Sequence, residues 1–378
     1  MKLNFFAETL AKICARSLAA PGRQLRWVII ANPKAGGFVM RSRWKKCRKA
    51  LEKGRVAAQQ NPPRDASAMS ELAAQFGVSP ELAAWGLIPT TGPGAATNIA
   101  RALVDDLKKH TKVQEAEGPL YLVITAGGDG TSLEVLSVLF QASPLLRSSF
   151  AVLRLPMGTG NDGADSPRFA TALDLLIKPT RITLMPALQL HTAPCGPAVS
   201  QGPFLAFNIL SVGLDAFVTH MTNKMKGKLP GDFYKLWVDI AALLYDRLYT
   251  VGLLDVKALD DQGGEVLSLQ EKILLLAVGA SGHRTYGSQK KILPDDRNVC
   301  LLRQMPLLRK LALKGLFSSG GHINKPESLL CNARRVVFSG RHPILAQMDG
   351  ETVLLQQEDF PAMIELTLPV IPVLKPAG

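Results

Sequence analysis

Residues 121–139 read YLVITAGGDGTSLEVLSVL, and this stretch decides the prediction of the fold. An apolar run ends abruptly at GGDGT, residues 127–131, and a second apolar pattern with helical spacing begins at once. A buried strand, a glycine-rich turn and a helix explain this order. The turn also raises a question of chemistry, because one carboxylate, that of Asp129, stands among three glycines.

The same order of strand, glycine-rich turn and helix recurs through the first half of the chain. It is found around NPKAGG at residues 32–37, TTGPGAA at residues 90–96 and PMGTGND at residues 156–162. Repetition of this unit predicts a parallel sheet flanked by helices. Ligands of such sheets bind beyond the carboxyl ends of the strands, and we therefore expect all four turns at one ligand-binding edge.

The pattern changes in the second half, where short β-like runs alternate with turn residues and one helix is predicted near Asp232–Leu248. The fold class is therefore predicted as α/β, with a parallel-sheet domain and a β-rich, antiparallel, sandwich-like second domain. The predicted parts are an N-terminal extension (1–24), the α/β domain (25–167) with an inserted polar segment (54–84), the β-rich domain (168–345), and a C-terminal part (346–378) with the DGE motif and further strands. The sequence leaves open whether these last strands return to the first domain.

The excess of positive charge lies near the N-terminus. Residues 1–60 hold 14 Lys or Arg and two Glu, so they carry +12 of the net charge of +13. Such a patch suits a phosphate-rich partner, which would be anionic lipid, nucleic acid or nucleotide. On charge alone, a solvated helix face explains it equally well.

Cysteine spacing and hydropathy exclude some protein classes. The five cysteines are far apart without a C-x-x-C pair, which favours neither a zinc site nor a disulfide framework. No apolar run approaches the roughly 20 residues of a membrane-spanning helix. We therefore expect a cytoplasmic protein.

Glycine turns that begin helices are suited to anions, because unpaired backbone N–H groups and a partial positive charge meet there. One such turn is weak support for a ligand, but four at one edge suit a polyphosphate. A carboxylate beside phosphates is repulsive unless a cation such as Mg²⁺ lies between them. Asp129 is then a metal ligand or a base, and the alternative is a simple helix cap.

The four turns, in this order and at this spacing, resemble those of the diacylglycerol-kinase-type lipid kinases, which include sphingosine and ceramide kinases. The segments FNILSVGLDA, RTYGSQKKILPDD and ARRVVFSGRHPILAQMDGE resemble the lipid-domain segments of that family, and the last ends in its Asp-Gly-Glu motif. GGDGT alone is shared with NAD kinases, and similar loops occur in phosphofructokinases. The combination with GTGND and DGE is more specific, and the resemblance runs from about Arg26 to the C-terminus.

The resemblance implies ATP and Mg²⁺ as cofactors and transfer of phosphate to a lipid hydroxyl in a cleft between two domains. Asp129 would be the essential carboxylate and, with Asp162, a ligand of the catalytic Mg²⁺. Glu351 would be the general base, with Asp349 as a supporting or metal contact; without the resemblance, Asp349-Gly350 is simply a hairpin turn. The residues that would meet the nucleotide are Asn32, Lys34, Gly36, Gly37, Thr91, Gly92, Gly127, Gly128, Gly130, Thr131, Gly158, Thr159, Gly160 and Asn161.

The function predicted from the sequence is that of an ATP-dependent lipid kinase at the inner face of a membrane, most simply one that converts diacylglycerol to phosphatidic acid. Its partners would be the lipid substrate and an anionic membrane surface, and no nucleic acid. Another lipid alcohol, such as a sphingoid base or ceramide, a soluble substrate such as NAD, and a catalytically silent regulator stay open. The sequence also leaves open whether the protein is a homodimer.

Overall fold

The computed structural model describes residues 2–110, 118–225, 245, 251–286 and 290–377. The chain forms two compact units, one comprising Met1–Met185 with Pro369–Gly378, and the other Pro186–Leu368. Apart from Tyr245, the predicted helix near Asp232–Leu248 lies outside the described residues.

The first unit is built on a seven-stranded sheet in the order β2-β1-β4-β5-β20-β6, with β3 also paired to β1. All its pairs are parallel except that of β20 with β6. The central strands β4 and β5 are buried along their whole length, as expected of apolar strands covered by helices on both faces. The strands are β1 Leu25–Ala31, β2 Ala66–Ala68, β3 Leu87–Pro89, β4 Leu120–Gly127, β5 Phe150–Pro156, β6 Thr180–Met185 and β20 Ile371–Pro376.

The helices of this unit pack their apolar faces onto the sheet. The N-terminal helix α1 belongs to the same core, because Phe6, Leu10 and Ile13 are fully buried in it. The helices are α1 Lys2–Cys14, α2 Gly36–Val39, α3 Arg41–Ala58, α4 Ser70–Ala74, α5 Pro80–Ala84, α6 Ala95–His110, α7 Asp129–Phe140, α8 Pro144–Arg147 and α9 Phe169–Ile177.

The segment 54–84, predicted as an insertion, supplies part of the first unit. Its strand β2 forms an edge of the sheet beside β1, although only three residues of it pair. The guanidinium of Arg64 donates hydrogen bonds to the carbonyls of Ser17, Ala19, Ala20 and Arg23. This segment therefore ties the connection between α1 and β1 to the domain.

The boundary between the units also differs from the predicted division at residue 167. Helix α9 and strand β6 remain with the first unit, because α9 packs in its core and β6 pairs with β20. The apolar run at residues 364–374 is shared by both units. Its first part belongs to strand β19 (Ala362–Leu366), which pairs within the second unit, whereas β20 pairs within the sheet of the first unit. Local patterns predict strands well but carry little information about which sheet a strand joins.

The second unit is built on an eleven-stranded sheet in the order β18-β17-β9-β11-β10-β16-β19-β7-β8, with β14 paired to β11 and β15, and its pairs are antiparallel. A separate hairpin joins β12 to β13. The strands are β7 Leu188–His191, β8 Phe204–Ala206, β9 Ile209–Gly213, β10 Leu253–Leu259, β11 Glu265–Gly279, β12 Arg284–Tyr286, β13 Lys290–Leu293, β14 Val299–Arg303, β15 Ser328–Cys331, β16 Arg335–Gly340, β17 Ile344–Met348, β18 Glu351–Leu355 and β19 Ala362–Leu366. Its helices include α10 Leu214–Met225 and α11 Leu307–Ser319.

Strand β11 spans two environments of this sheet. Its first half alternates between exposed and half-buried residues and pairs with β10, whereas its last seven residues are buried between β9 and β14. The mostly parallel sheet with helices and the separate antiparallel sheet confirm the predicted fold class.

Membrane-spanning helices and disulfides were both predicted to be absent. In the part of the chain that the structure describes, no helix has the length and apolarity needed to cross a bilayer. All five cysteines are free. Burial raises the pKa of Cys47 and of Cys331 to about 11 and that of Cys300 to about 12, so these thiols are protonated at neutral pH.

Candidate active site

Three of the four glycine turns meet at the carboxyl ends of the adjacent strands β1, β4 and β5. The N–H of Gly37 donates to the carbonyl of Met157 at 2.7 Å, which joins the β1 turn to the β5 turn. A Cβ built on Gly158 would lie only 2.5 Å from Cα of Gly128, so the β4 and β5 turns touch through their backbones. Glycine is required at this contact because any side chain would separate the two turns.

Asp129 lies at the first position of helix α7, and its carboxylate joins two turns. Its Oδ2 accepts the N–H of Asn161 at 3.1 Å, and its Oδ1 accepts the N–H of Gly163 at 3.0 Å. The cap residue of α7 is Gly128, and the helix has no side-chain capping bond. The cap interpretation of Asp129 is therefore not supported, since its carboxylate holds the loop that follows β5.

A second carboxylate, that of Asp162, approaches the same point. A Cβ built on Gly160 would lie 3.0 Å from Oδ2 of Asp162 and 3.2 Å from Oδ2 of Asp129. Two carboxylate oxygens therefore lie beside the same glycine. In the described part of the chain, no cluster of three His, Cys, Asp or Glu side chains could hold a metal ion. A magnesium ion here would thus need water or phosphate oxygens to complete its shell.

The same loop presents donors for an anion. Within the described residues, the backbone N–H groups of Gly158, Thr159 and Gly160 donate to no protein acceptor. Successive N–H groups of this kind form a concave site for an anion. The adjacent Oδ1 of Asn161 is buried and, among the described residues, has no hydrogen-bond partner. Asn161 has a left-handed backbone, φ 62°, which turns the chain at this point.

A cation from the basic helix α3 reaches this loop. The guanidinium of Arg43 donates to the carbonyl of Gly158 at 2.7 Å. Other basic residues of this helix are exposed, among them Arg41, Lys45, Lys46, Arg48 and Lys49. Arg43 therefore differs in position from its neighbours in sequence, which the charge pattern alone did not predict.

The turn TTGPGAA before helix α6 is arranged differently from the other three. The carboxylate of Glu134 on α7 accepts the N–H of Gly94 at 3.0 Å and that of Thr97 at 3.1 Å. A protein carboxylate therefore fills the start of α6, where the sequence suggested an anion site. Thr91 and Gly92, the residues assigned to nucleotide contact, lie exposed before this point.

The two ends of the loop after β5 are joined by a buried ion pair. Arg154 on β5 and Asp165 are 2.8 Å apart, and their side chains are 4% and 1% exposed. Asp165 also accepts the backbone N–H of Arg154 at 2.7 Å. The loop that carries Gly158–Asp162 thus leaves β5 and returns to it, which fixes both of its ends.

The second unit carries the other predicted site residues in a tight hairpin. Asp349 and Gly350 form the two-residue turn between β17 and β18, and both have left-handed backbone, φ 47° and 104°. The carboxylate of Asp349 accepts the N–H groups of Phe207, Asn208 at 3.1 Å, and Ile209 at 2.9 Å. The hairpin interpretation is therefore confirmed, and Asp349 anchors the turn to the start of β9. Glu351, the first residue of β18, is exposed.

The predicted residues thus form two groups, each within one unit. Asp129 and Asp162 meet in the first unit, together with most residues of the β1, β4 and β5 turns. Within this group, Asn32 reaches Thr131 through a side-chain contact of 3.5 Å, and it accepts the N–H of Lys34 at 2.9 Å.

Three comparisons with known proteins bear on the identity of these turns. Residues 26–182 match the model of the diacylglycerol kinase catalytic domain. Residues 26–182 belong to that family. The family resemblance and the coarse prediction of a kinase-type transferase are therefore confirmed for this domain. The comparison with curated proteins found no match.

Solved structures with the same fold extend the likeness beyond the catalytic domain. A candidate diacylglycerol kinase from Bacillus anthracis str. Sterne superposes with a TM-score of 0.56 at 17% identity, over 94% of this chain and 99% of the other. A second structure described in the same way, from the same organism, gives 0.51 at 16% identity, over 93% and 96%. At such low identity the likeness concerns the fold.

Three residues of the diacylglycerol kinase domain site were missed by sequence reasoning. Glu134 and Arg43 bind backbone groups of predicted turns, and Asp165 binds Arg154 of β5. None of the three lies within the four motifs. Asp165 lies three residues after the end of GTGND, so its place in the sequence offered some signal. Glu134 and Arg43 act across 40 and 115 positions of the chain, and no local pattern reveals such pairs.

Proposed function

We propose that the protein is an ATP-dependent lipid kinase that transfers phosphate to a lipid hydroxyl, with diacylglycerol as the first candidate acceptor and phosphatidic acid as its product. The diacylglycerol kinase catalytic domain match supports the class of reaction. Another lipid alcohol as acceptor would leave the tasks of the nucleotide-binding residues and of the proton acceptor unchanged.

The observation that carries the proposal is the pairing of opposite ligand types on one loop. The N–H groups of Gly158–Gly160, which donate to no acceptor among the described residues, suit phosphate oxygens, and the carboxylates of Asp129 and Asp162 beside Gly160 suit a cation. A phosphate group needs hydrogen-bond donors and Mg²⁺ needs oxygen ligands, so a site for the two together needs both kinds of group. A magnesium nucleotide thus fits the donors and acceptors that this loop offers.

Each residue has a defined task in the proposed reaction. Mg²⁺, when bound, would offset the charge of the phosphate groups beside Asp129 and Asp162. The acceptor hydroxyl attacks the terminal phosphorus, the bond from that phosphorus to the ADP oxygen breaks, and the hydroxyl proton passes to Glu351. In a loose transition state the proton leaves late, so the position of Glu351 matters more than its basicity.

Labelled-phosphate transfer tests this proposal. Wild-type protein and Asp129→Asn are incubated with Mg²⁺, labelled ATP and a mixed lipid extract in detergent micelles. We expect a labelled lipid with wild type alone, and its chromatographic mobility identifies the acceptor. Transfer to NAD in the absence of lipid would contradict the lipid proposal, and nucleotide binding without transfer to any lipid would support a silent regulator.

We also propose that this kinase works in the cytoplasm and visits anionic membrane surfaces peripherally. Lys45, Lys46, Arg48 and Lys49 on α3 are exposed, although Arg48 also pairs with Glu52 at 2.9 Å. Exposed lysines near a membrane are attracted to anionic lipid, and this attraction weakens as salt rises.

A further inference from the structure

A buried polar network lies behind the hairpin that carries Glu351. Gln347 on β17 lies opposite Ser211 of β9, and its Oε1 accepts the N–H of Gly350 at 3.0 Å. Its Nε2 donates to Oγ of Ser211 at 2.9 Å and to Oδ2 of Asp215 at 3.1 Å. One amide side chain therefore joins the turn to β9 and to the start of helix α10.

The network is almost completely shielded from water. Ser211 is 0% exposed, and Asp215 and Gln347 are each 4% exposed. Ser211 also donates its hydroxyl hydrogen to Asp215. Buried polar groups carry a desolvation cost that apolar residues of similar size avoid, so stability alone does not account for an amide at position 347. A fully hydrogen-bonded buried network does, however, fix one arrangement of the groups that it joins.

Helix α10 holds the same hairpin from a second side. Nδ2 of Asn223 donates to the carbonyl of Gly350 at 2.8 Å. Nδ1 of His220 lies 3.2 Å from Oγ1 of Thr352, and burial lowers the pKa of His220 with a smaller effect from Lys224. The residues before and after Glu351 are therefore both tied to α10.

The start of α10 is itself tightly placed. Gly213, which links β9 to α10, has φ 90°, and a Cβ there would lie 2.6 Å from the carbonyl oxygen of Leu274. Because only glycine fits, the helix leaves β9 at a fixed position, and Asp215 follows two residues later. The amide of Gln347 thus links the turn at Gly350 by hydrogen bonds to the fixed start of α10.

We propose that Gln347 is a positioning residue for Glu351, acting through its bonds to Gly350 and to the Ser211–Asp215 pair. The inference rests on the proposed function, since it assigns Gln347 to the step in which Glu351 takes the hydroxyl proton. Displacement of a reacting group by about 1 Å can slow a reaction by roughly 100-fold. A misplaced carboxylate would lower kcat and leave the binding of ATP unchanged.

A double-mutant cycle tests the proposal. Gln347→Leu keeps the approximate volume and removes the bonds to the turn, and we expect kcat to fall roughly 10- to 100-fold with an unchanged KM for ATP. In a Glu351→Gln background the same change should have no further effect, because Gln347 acts only through Glu351. Ser211→Ala is a milder second variant, with a smaller loss in the same direction.

Asn298→Leu is the matched control, because Asn298 is a buried amide in the same unit that forms two hydrogen bonds of 2.9 Å with the backbone of Ala333. It should cost stability without lowering kcat. Wild-type kcat in Gln347→Leu, or losses that multiply with those of Glu351→Gln, would overturn the proposal.

Amide hydrogen exchange separates this inference from the proposed function. Faster exchange of the Gly350 N–H in Gln347→Leu, with β17 still protected, would support the positioning of the turn. Unchanged protection of Gly350 would overturn it. A wild-type protein that transfers no phosphate would overturn the proposed function, and the exchange result would still decide whether Gln347 fixes the turn.

Discussion

The two Asp-Gly turns of this protein use the same dipeptide in different ways. Asp129 in the first unit accepts two backbone N–H groups and lies half-buried beside a second carboxylate. Asp349 in the second unit accepts three backbone N–H groups and starts a hairpin. Both oxygens of the Asp349 carboxylate accept backbone N–H groups. The carboxylates of Asp129 and Asp162, in contrast, lie together beside Gly160.

The difference indicates what each turn contributes. An aspartate that holds three N–H groups is an anchor, and the next acid along the chain, Glu351, is exposed. An aspartate that lies beside another carboxylate, and near three N–H groups for which the described part of the chain offers no acceptor, is suited to a metal and a phosphate. The same letters in a sequence can therefore mark a support in one place and a ligand in another.

The largest expected effect is on the support of the β5 turn, whose backbone Asp129 binds. Asp165→Ala leaves Arg154 buried without its carboxylate, and we expect the free energy of unfolding to fall by about 3–5 kcal/mol. Asp174→Ala, which breaks the exposed pair with Lys178, should cost no more than about 0.5 kcal/mol. Urea unfolding measures both, and equal losses would show that the Arg154 pair does not hold the loop.

The two aspartates should differ in their effect on stability. Asp349→Ala leaves three N–H groups without their acceptor, so we expect a loss of about 3 kcal/mol in the unfolding of the second unit. Asp129→Ala removes two acceptors at a half-exposed site where water can replace them, and the loss should be about 1 kcal/mol. A larger loss for Asp129→Ala would reverse the assignment of anchor and ligand.

A single methyl group on the β5 turn can disturb the place where the carboxylates of Asp129 and Asp162 approach each other. Gly160→Ala would place a Cβ within 3.2 Å of both carboxylates, which are the ends of flexible side chains and can move aside. We expect phosphate transfer to fall roughly 10-fold, with the free energy of unfolding changed by less than about 1 kcal/mol. Gly315→Ala, where a Cβ meets nothing within 4 Å, is the control. Equal activity in both variants would place the carboxylates outside the reaction.

The smallest expected effect concerns the membrane. Reversal of Lys45, Lys46, Arg48 and Lys49 to Glu should weaken salt-sensitive binding to anionic vesicles, and co-sedimentation with such vesicles measures it. The control reverses four exposed lysines outside α3, Lys108, Lys109, Lys178 and Lys257. Equal vesicle binding by both variants would show that the net charge of the protein, and not this face of α3, determines the binding.

The central strands of the first sheet could be predicted from the sequence, whereas the membership of strands such as β2 and β20 could not. Fully apolar runs such as those of β4 and β5 specify buried parallel strands almost alone. Strands β2 and β20 are harder to assign, because the first is three residues long and the second pairs with β5, more than 200 positions earlier. Sheet membership of this kind depends on tertiary contacts.

In the candidate site, too, some parts could be predicted from the sequence and others could not. The turns were predicted because glycine and aspartate have strong local preferences. The side chains that hold the turns, such as Arg43, Glu134 and Gln347, bind across distant segments and show no pattern of their own. The resemblance to a family identified the residues expected to react, whereas only the structure revealed those that support them.

The most direct test of this division of labour measures Mg-ATP binding and phosphate transfer in the same two variants. The account predicts that Glu351→Gln binds Mg-ATP as wild type does and transfers at least roughly 100-fold more slowly, a loss typical of a displaced or absent proton acceptor. It predicts that Asp129→Asn loses transfer together with magnesium-dependent nucleotide affinity. Wild-type transfer by Glu351→Gln, or unchanged magnesium dependence in Asp129→Asn, would contradict it.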